Sequence, residues 1–399
     1  MKILYLVPDF PYPAAGGGPL RLMGLIPGTA QAGHEVHVIS FGTEENTDTP
    51  LHHACTSLDI VPIPERSKRD RLQTLVLSRR ADMETRRWSE KFIQVLTEKL
   101  ADEQFDIIQC QSLEMTPYLL YIRERWPQQT LVYDAYNAEA ELQRMAYITD
   151  RAVPQKLPLA LYSWVQWKRI AALERKLGEK ADAIIAVSEI DQQELQKAAG
   201  KTPVYLVPNG IHVSEYQGPP DKQIPVQQPS LIFTGIMDYR PNVDAALWFA
   251  NEILPQIPNA HLYLVGNRPH PQIQALAGRE NITVTGFVPD VMPYLHQGTV
   301  FVVPMRIGSG TRLKMLQAMA AGCAIVSTRV GAAGLAVTHG EQMLLADEAS
   351  AFANAVCDLL NDPARRRNLS ANAQSYVQEK FDWSVIVPRL LAVYDKLAR

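Results

Sequence analysis

A glycine-rich turn followed by a helix-forming run lies at residues 304–328. The turn is formed by Gly308, Ser309 and Gly310, and the helix-forming run begins at Thr311. The first turn of a helix leaves backbone N–H groups without partners and carries the positive end of the helix dipole. Such a helix start is suited to binding phosphate, so this segment is a candidate anion site.

Two cations next to this turn strengthen the interpretation. Arg312 and Lys314 fall in the first helical turn, which contains no acidic residue. Because cations are unfavourable at the positive end of a helix dipole, their presence there indicates a bound anion. Gln317 lies about one and a half turns further along and can direct its amide to the same edge. The alternative is an ordinary packed helix with a solvated first turn.

The composition indicates a globular protein with room for two domains. The chain has 399 residues, of which 47% are apolar and 20% are charged. Its net charge of −3 argues against nucleic acid as the main partner.

Four scattered cysteines predict reduced thiols. The sequence has no Asp-x-Asp motif and no His/Glu cluster, so no metal site is predicted. Without a signal peptide or an apolar stretch of about 20 residues, we expect a cytoplasmic location.

Strands and helices alternate along the first half. An apolar strand at residues 3–7 runs into a loop containing Gly16, Gly17 and Gly18, and a helix is expected at residues 20–32, interrupted at Pro27 and Gly28. Further strands are expected at residues 35–40, 59–63, 106–110, 130–135, 183–188 and 204–207. This order opens a doubly wound parallel sheet, in which ligands bind beyond the carboxyl ends of the strands.

The second half repeats the alternation after a linker rich in Pro, Gly and Gln at residues 208–229. Strands are expected at residues 231–234, 261–265, 282–285, 300–303 and 324–327. Helices are expected at residues 245–253, 290–295, 311–321, 349–360 and 385–397. The predicted fold class is therefore α/β, with two Rossmann-like domains facing a cleft.

The order and spacing of several short segments resemble the retaining glycosyltransferases of family four, the glycosyl transferases group 1, which have the two-domain GT-B architecture. The resemblance extends over nearly the whole chain. The matching segments are the first glycine-rich loop with GHEV at 33–36, DAYNAE at 134–139, AD at 181–182 before IAVS at 185–188, VPNG at 207–210, FTG at 233–235, GFVPD at 286–290 and QAMAAG at 317–322.

The resemblance implies an acceptor-side domain at residues 1–207, a nucleotide-sugar-binding domain at 230–380 and a C-terminal helix at 381–399 that packs back on the first domain. It implies transfer of a sugar from a nucleotide-diphosphate sugar to a hydroxyl of a polysaccharide, a glycolipid or a glycosylated small molecule. Front-face attack, with the leaving phosphate assisting deprotonation of the acceptor, is the expected course. No cofactor is expected, and no metal is needed if cations and a helix start stabilise the departing diphosphate.

The resemblance also assigns site residues. The expected donor-binding residues are Gly17, Gly18, Gly235, Arg240, Phe287, Val288, Gly308, Ser309, Gly310, Thr311, Arg312, Lys314 and Gln317. The expected catalytic residues are Tyr136, Asn137 and Glu139.

Some positions depart from the family pattern. Ser309 and Gln317 replace the usual pair of glutamates, and an amide accepts a hydrogen bond from ribose less strongly than a carboxylate. Tyr136 stands where many relatives have a histidine; it can donate to the sugar or merely pack the loop. Arg240, or Arg312 and Lys314, replace the cations that many relatives carry after the FTG segment. Two alternatives therefore stay open: a homologue that binds nucleotide with little turnover, or another GT-B enzyme such as a nucleotide-sugar epimerase.

Two segments of the first half allow two interpretations each. A run of cations in the first half consists of Arg66, Lys68, Arg69, Arg71, Arg79, Arg80, Arg86 and Arg87. Interspersed acidic residues favour a solvated helical face, and contact with a membrane surface or an anionic acceptor is the alternative. The aromatic stretch 157–167 favours core packing, and contact with the apolar part of an acceptor is the alternative.

Overall fold

The computed structural model describes residues 1–14, 16–43, 48–218, 222–307 and 313–398, including the side chains of all of these except Lys68 and Leu72. These residues form two compact units, unit 1 (residues 1–209 and 386–399) and unit 2 (residues 210–385). The boundary between Asn209 and Gly210 lies in the segment predicted as a linker, and Val213–Tyr216 forms a 3₁₀ turn that belongs to unit 2.

Unit 1 contains a seven-stranded parallel sheet. Its strands are β1 (Lys2–Val7), β2 (Glu35–Gly42), β3 (Ser57–Pro62), β4 (Ile107–Gln111), β5 (Leu131–Asp134), β6 (Ala183–Ala186) and β7 (Val204–Leu206). Their spatial order is β3-β2-β1-β4-β5-β6-β7. Because the order reverses between β1 and β4, the carboxyl ends of these two strands open the crevice that ligands use in such sheets.

Unit 2 contains a six-stranded parallel sheet. Its strands are β8 (Ser230–Thr234), β9 (His261–Val265), β10 (Ile282–Gly286), β11 (Val300–Val303), β12 (Ile325–Ser327) and β13 (Leu344–Leu345). Their order is β10-β9-β8-β11-β12-β13, which reverses between β8 and β11. The predicted parallel α/β sheets are confirmed in both units.

Helices connect the strands in both units. The helices of the first half are α1 (Gly17–Gln31), α2 (Pro50–Ala54), α3 (Lys68–Leu77), α4 (Asp82–Thr85), α5 (Glu90–Asp102), α6 (Thr116–Arg125), α7 (Glu139–Arg151), α8 (Leu157–Lys180) and α9 (Glu189–Ala199). The helices of the second half are α10 (Arg240–Trp248), α11 (Pro271–Gln274), α12 (Met292–Gln297), α13 (Leu313–Ala320), α14 (Ala349–Asn361), α15 (Pro363–Phe381) and α16 (Trp383–Leu397). From Ile386 onward, α16 belongs to unit 1.

Helix α1 differs from the prediction at its start and at Pro27. It begins at Gly17 rather than residue 20, and it continues through Pro27, which lies inside it. Tertiary packing explains why Gly28 does not end the helix: a Cβ at this position would lie 2.5 Å from Cγ2 of Val387 in α16. Gly28 therefore allows two helices of unit 1 to approach closely.

The expectation of core packing for residues 157–167 is wrong for part of the segment. Leu157, Leu161 and Trp164 are exposed, although Ala160 and Ser163 on the other side of α8 are buried. An amphipathic helix must bury one stripe only, so the aromatic and apolar content of this segment did not reveal which face was covered. None of the described helices is long and apolar enough to cross a membrane.

A buried chain of hydrogen bonds joins distant parts of unit 1. The Tyr5 hydroxyl lies 3.0 Å from the hydroxyls of both Thr29 and Tyr394. The Tyr394 hydroxyl donates to Oε1 of Gln109 at 2.5 Å, and the Gln109 amide donates to Asp134 at 3.1 Å. This chain connects β1, α1, β4, β5 and α16 through polar groups that have no access to solvent.

A buried ion pair ends this chain of hydrogen bonds. Arg21 donates to both carboxylate oxygens of Asp134, at 3.0 and 2.8 Å. Burial raises the pKa of Asp134, and the Arg21 guanidinium opposes that rise. Arg21 also donates to the backbone oxygens of Val207 and Pro208 at 3.0 and 3.2 Å, and to Oδ1 of Asn209 at 3.1 Å. One side chain thus fixes α1, β5 and the last residues before the unit boundary.

Removing the Tyr394 hydroxyl tests how much this network stabilises unit 1. Tyr394→Phe leaves the buried Gln109 oxygen without its donor, so we expect the unfolding free energy to fall by about 1–3 kcal/mol. Urea denaturation followed by circular dichroism measures the change. Tyr205→Phe is the matched control, because Tyr205 is only half-buried and its ring contact with Lys396 does not involve the hydroxyl. Equal stability of the two variants would contradict the prediction.

Candidate active site

The ammonium group of Lys314 lies at the carboxyl end of β8, beside the point where the sheet order of unit 2 reverses. Its Nζ donates to Oδ1 of Asn242 at 2.8 Å and lies 4.3 Å from the centre of the Phe233 ring. A Cβ on Gly235 would lie 2.8 Å from this Nζ and 2.6 Å from Nδ2 of Asn242. Only glycine fits here, and its φ of +156° is one that other residues rarely adopt. The arrangement holds a cation at the edge of the sheet where phosphates bind.

A second glycine keeps this edge of the sheet open. Gly266 follows β9 with φ +151°, and a Cβ on it would lie 1.7 Å from the backbone oxygen of Gly235. The backbones after β8 and β9 therefore touch directly, without side chains between them. Close approach of bare backbone to a ligand is a common use of glycine at such positions.

Gln317 of α13 has a partner that the sequence did not indicate. Its Nε2 lies 2.8 Å from the Tyr216 hydroxyl, and Tyr216 belongs to the 3₁₀ turn of the predicted linker. Burial raises the pKa of Tyr216, so the phenol stays protonated at neutral pH. The two side chains form one hydrogen-bonding pair at α13. No spacing or motif links these positions, which are 101 residues apart.

The other residues of unit 2 that were predicted to bind the sugar donor, and that the structure describes, lie at the ends of strands and the starts of helices. Phe287 follows β10 directly and is 75% exposed, whereas Val288 packs partly against the core. Arg240 is the exposed first residue of α10. An exposed aromatic ring at the carboxyl end of a strand can stack on a flat ligand.

The predicted residues Gly308, Ser309, Gly310, Thr311 and Arg312 lie outside the described residues. Their roles therefore stay predictions. Arg306 and Leu313 are described residues on either side of this segment. Arg306 makes a two-pronged ion pair with Asp244, at 3.0 and 2.7 Å, and lies over the Trp248 ring. Leu313 begins α13.

In unit 1, the glycine-rich turn packs against Tyr136. Gly17 and Gly18 open α1, whose first turn has no acidic residue and no side-chain cap. A Cβ on Gly18 would lie 2.8 Å from Cε2 of Tyr136, so the ring fills the space beside the helix start. The Tyr136 hydroxyl is buried and has no hydrogen-bond partner among the described residues. Burial raises the pKa of this phenol far above its usual value, which keeps its proton in place.

Asn137 and Glu139 are paired next to Tyr136. The Asn137 amide donates to Oε1 of Glu139 at 3.0 Å, and Glu139 is the first residue of α7. Burial raises the pKa of the Glu139 carboxyl, and the Asn137 hydrogen bond opposes the rise. Of the three predicted catalytic residues, Tyr136 and Asn137 therefore lie in the loop between β5 and α7, and Glu139 is the first residue of α7.

Two carboxylates that the sequence did not single out hold this loop. The backbone N–H of Ala138 donates to Asp191 at 2.9 Å, and that of Ala140 donates to Glu174 at 3.1 Å. Acidic groups at a helix start are favourable because they meet unpaired N–H groups and the positive end of the dipole. Burial raises the pKa of Glu174 to about 7.

Two protein families match the chain, and together they cover most of its length. The model described as Glycosyltransferase Family 4 matches residues 15–215, and the model described as Glycosyl transferases group 1 matches residues 228–362. An "Uncharacterized 44.6 kDa protein in cps region" of Klebsiella pneumoniae is 21% identical and covers 96% of both chains. A phosphatidyl-myo-inositol mannosyltransferase of Mycobacterium leprae is 27% identical over 55% of this chain and 60% of the relative.

Solved structures with a similar fold cover the whole chain. A sucrose-phosphate synthase from Thermosynechococcus elongatus has a TM-score of 0.75 and 20% identity, and covers 100% of this chain and 99% of its own. HepE of Anabaena, solved in complex with UDP, has a TM-score of 0.66 and 17% identity, and covers 99% of this chain and 100% of its own.

The raised pKa of Glu174 predicts a pH dependence of stability. The folded state holds the Glu174 proton up to about pH 7, whereas in the unfolded chain the carboxyl releases it near its usual pKa of 4.5. The free energy of unfolding should therefore fall as the pH rises through this window and level off above it. Glu174→Gln keeps an oxygen for the Ala140 N–H but cannot ionise, so its Tm advantage over the unmodified protein should grow from pH 5 to pH 8.

Thermal denaturation across this pH range measures the effect. Glu179→Gln is the matched control, because Glu179 is an exposed residue of the same helix. Parallel Tm curves for Glu174→Gln and the unmodified protein would contradict the assignment.

Proposed function

Because the chain belongs to glycosyltransferase family 4, we propose that it transfers a sugar from a nucleotide-diphosphate sugar to a hydroxyl group with retention of configuration. Its two α/β units have the fold of the GT-B glycosyltransferases. The observation that carries the proposal is the position of the Lys314 ammonium, held by Asn242 and Phe233 against the glycine backbone at the end of β8.

In this proposal unit 2 binds the donor. Lys314 contacts the diphosphate, together with the backbone N–H groups of residues 308–312 that the sequence predicts at the start of the helix. Gln317 and Tyr216 contact the ribose hydroxyls, and Phe287 stacks on the base. The similar structure of HepE contains UDP, which supports a nucleotide diphosphate as the ligand class.

Unit 1 contributes the residues that face the acceptor and the transferred sugar. The first turn of α1, at Gly17 and Gly18, offers backbone N–H groups to a polar ligand group. The Tyr136 phenol keeps its proton, so it donates a hydrogen bond to a sugar oxygen. Asn137 and Glu139 hold the loop in place and contact the same sugar.

The transfer breaks the bond between the anomeric carbon and the phosphate oxygen, and the departing diphosphate takes the electron pair. The acceptor oxygen forms the new bond to the anomeric carbon from the same face. Its proton passes to an oxygen of the leaving phosphate, so no protein nucleophile is required. Lys314 stabilises the charge that develops on the diphosphate, and a cation fixed in advance lowers this barrier. We therefore propose that the reaction needs no metal ion and no cofactor.

The proposed acceptor is a hydroxyl of a lipid-linked molecule at the inner face of a membrane, reached from the cytoplasm. The name of the Mycobacterium leprae relative, a phosphatidyl-myo-inositol mannosyltransferase, supports a lipid acceptor. A polysaccharide or a glycosylated small molecule would also offer a hydroxyl group. Release of nucleotide diphosphate in the presence of each acceptor class distinguishes these three.

The second candidate is a homologue that binds nucleotide with little turnover. The observation that favours it is the Gln317–Tyr216 pair, because one of the two amide N–H donors of Gln317 is already used within the protein. A glutamate at this position would offer ribose a charged acceptor that Gln317 lacks.

Removing the Lys314 charge tests the donor site. Lys314→Ala should raise the Kd of UDP or GDP by roughly 30-fold, or about 2 kcal/mol, because a charge-assisted contact to the diphosphate is lost. Isothermal titration calorimetry measures the change, with Lys380→Ala, an exposed lysine of the same unit, as the control. An unchanged Kd would refute the site.

Metal independence has a separate test. Nucleotide-sugar hydrolysis that stops when EDTA is added would refute it.

Restoring a carboxylate at position 317 separates the two candidates. Gln317→Glu should lower the Kd of the nucleotide by about fivefold, because an ionised acceptor binds ribose hydroxyls more strongly. The same calorimetric titration measures it, and Gln272→Glu provides an exposed control in unit 2. If the unmodified protein binds nucleotide sugar without turnover and Gln317→Glu gains turnover, the second candidate is supported. Weaker binding in Gln317→Glu would place the ribose elsewhere.

A further inference from the structure

A polar cavity of about 540 Å³ lies at the amino ends of two strands of unit 2. Its lining includes Thr299 and Ala324, the residues directly before β11 and β12, and Ala321, which follows α13. Small-molecule sites have volumes of about 300–1,000 Å³, so the cavity is large enough for such a ligand. Because Lys314 lies at the carboxyl edge of the same parallel sheet, the candidate donor site does not account for this cavity.

The lining of the cavity is cationic. Arg366 and Arg367 of α15 both line it, and none of the described lining residues is Asp or Glu. These arginines lie near the start of α15, whose first turn has no acidic residue and whose cap, Asp362, is outside the lining. Because the start of a helix is the positive end of its dipole, cations there are unfavourable unless an anion binds beside them. The cavity is therefore suited to an anion.

The two arginines differ in their partners. Arg366 donates through Nη1 to the backbone oxygens of Leu359 and Leu360, which satisfies carbonyls at the end of α14. The Arg367 side chain makes no hydrogen bond or ion pair within the described part of the chain. The charge of Arg367 is thus available to a ligand in the cavity.

Two uncharged side chains of α15 add hydrogen-bonding groups. Nε2 of Gln374 donates to the backbone oxygen of Ala320, the last residue of α13, at 3.1 Å. A Cβ on Gly322 would lie 2.8 Å from this Nε2, so glycine lets Gln374 reach the end of α13. Oε1 of Gln374 and the hydroxyl of Ser370, both residues of the lining, have no hydrogen-bond partner among the described residues. These two oxygens can bind hydroxyl groups of a ligand.

His296 of α12 adds a buried ring nitrogen to the same wall. The residue lines the cavity, and its Nε2 is buried without a hydrogen-bond partner among the described residues. Buried polar atoms of folded proteins are nearly always hydrogen-bonded. An orphaned nitrogen in a residue of the cavity wall therefore points to a ligand group as its partner.

We infer that this cavity binds a small phosphorylated ligand that also carries hydroxyl groups, of the sugar phosphate class. Arg367 pairs with the phosphate, because the planar guanidinium can donate two parallel hydrogen bonds to two phosphate oxygens. His296 bonds a further phosphate oxygen. Ser370 and Gln374 bind the hydroxyl groups. The site is separate from the donor site and does not depend on the proposed sugar transfer.

An acidic segment of a partner protein fits this cavity less well. Protein interfaces are anchored by large apolar and aromatic side chains that become buried at their centre. None of the exposed large apolar side chains of the described chain belongs to the lining of the cavity. The lining instead offers charged and polar groups, which suit a small polar ligand.

Isothermal titration calorimetry tests the inference. The full chain, without nucleotide, is titrated with mannose 6-phosphate, with inorganic phosphate and with mannose. We expect mannose 6-phosphate to bind roughly tenfold more tightly than inorganic phosphate, because hydroxyl contacts add to the phosphate contact, and mannose alone not to bind. Arg367→Ala removes the exposed cation, and Ala371→Trp fills the cavity from an exposed position of its lining. Each should raise the Kd of mannose 6-phosphate by about tenfold.

Two control variants separate this site from other effects of charge. Arg365→Ala removes an exposed arginine of the same helix turn that pairs with Asp358 and lies outside the lining. Lys314→Ala removes the cation of the candidate donor site. Both should bind mannose 6-phosphate like the unmodified protein.

Several results would overturn the inference. Undetectable binding of mannose 6-phosphate, or equal Kd values for mannose 6-phosphate and inorganic phosphate, would exclude the proposed ligand class. Equal weakening in Arg365→Ala and Arg367→Ala would reduce the binding to a general effect of charge. Weakening in Lys314→Ala with unchanged binding in Arg367→Ala and Ala371→Trp would assign the ligand to the donor site instead.

Discussion

The buried pairing of Arg21 with Asp134 is the interaction on which unit 1 depends most. Transferring two charges out of water costs several kcal/mol per ion, so such a pair is tolerated only where further hydrogen bonds satisfy it. Here Gln109 supplies an additional donor to the carboxylate, and the backbone oxygens before the unit boundary accept from the guanidinium. The cost is thus offset by a network that also determines where the first turn of α1 lies relative to β5, and hence where Gly18 meets Tyr136.

In the described part of unit 2, the polar group placed at the end of a strand is the Lys314 ammonium. The Lys314 ammonium has an amide oxygen on one side and an aromatic face on the other, and glycine backbone provides the room for it. A cation placed in advance does not need to reorganise when negative charge develops on a bound group. The ammonium lies at the end of β8, where the strand order of unit 2 reverses, and this is the position at which parallel sheets bind ligands.

The sequence predicted the parallel sheets well because buried strands are short apolar runs between turn signals. The strand expected at residues 300–303 has the observed bounds, whereas β13, only two residues long, carries no periodic signal and was missed. The sequence did not predict helix α15, because its apolar residues are sparse among polar ones. Helix α1 continues through Pro27 because its packing against α16 outweighs the low helix propensity of proline.

The candidate site was less predictable than the fold. Lys314 and Gly235 came from a local motif and a resemblance, but their contact joins residues far apart in the chain. The sequence could not predict the contacts of Tyr216, Glu174 and Asp191. A hydrogen bond between residues far apart in the chain has no characteristic spacing that a sequence pattern could show. Likewise, the apolar content of α8 indicated burial, but only the packed structure shows which face is covered.

The pairing of Tyr5 with Tyr394 has a consequence for synthesis of the chain. These residues are 389 positions apart, so the chain must be synthesised beyond Tyr394 before α16 can complete the interior of the unit that is made first. Domains are generally expected to mature as they emerge, N-terminal first. In this protein the first unit stays incomplete until all of the second unit has been synthesised, so the second unit can fold before it.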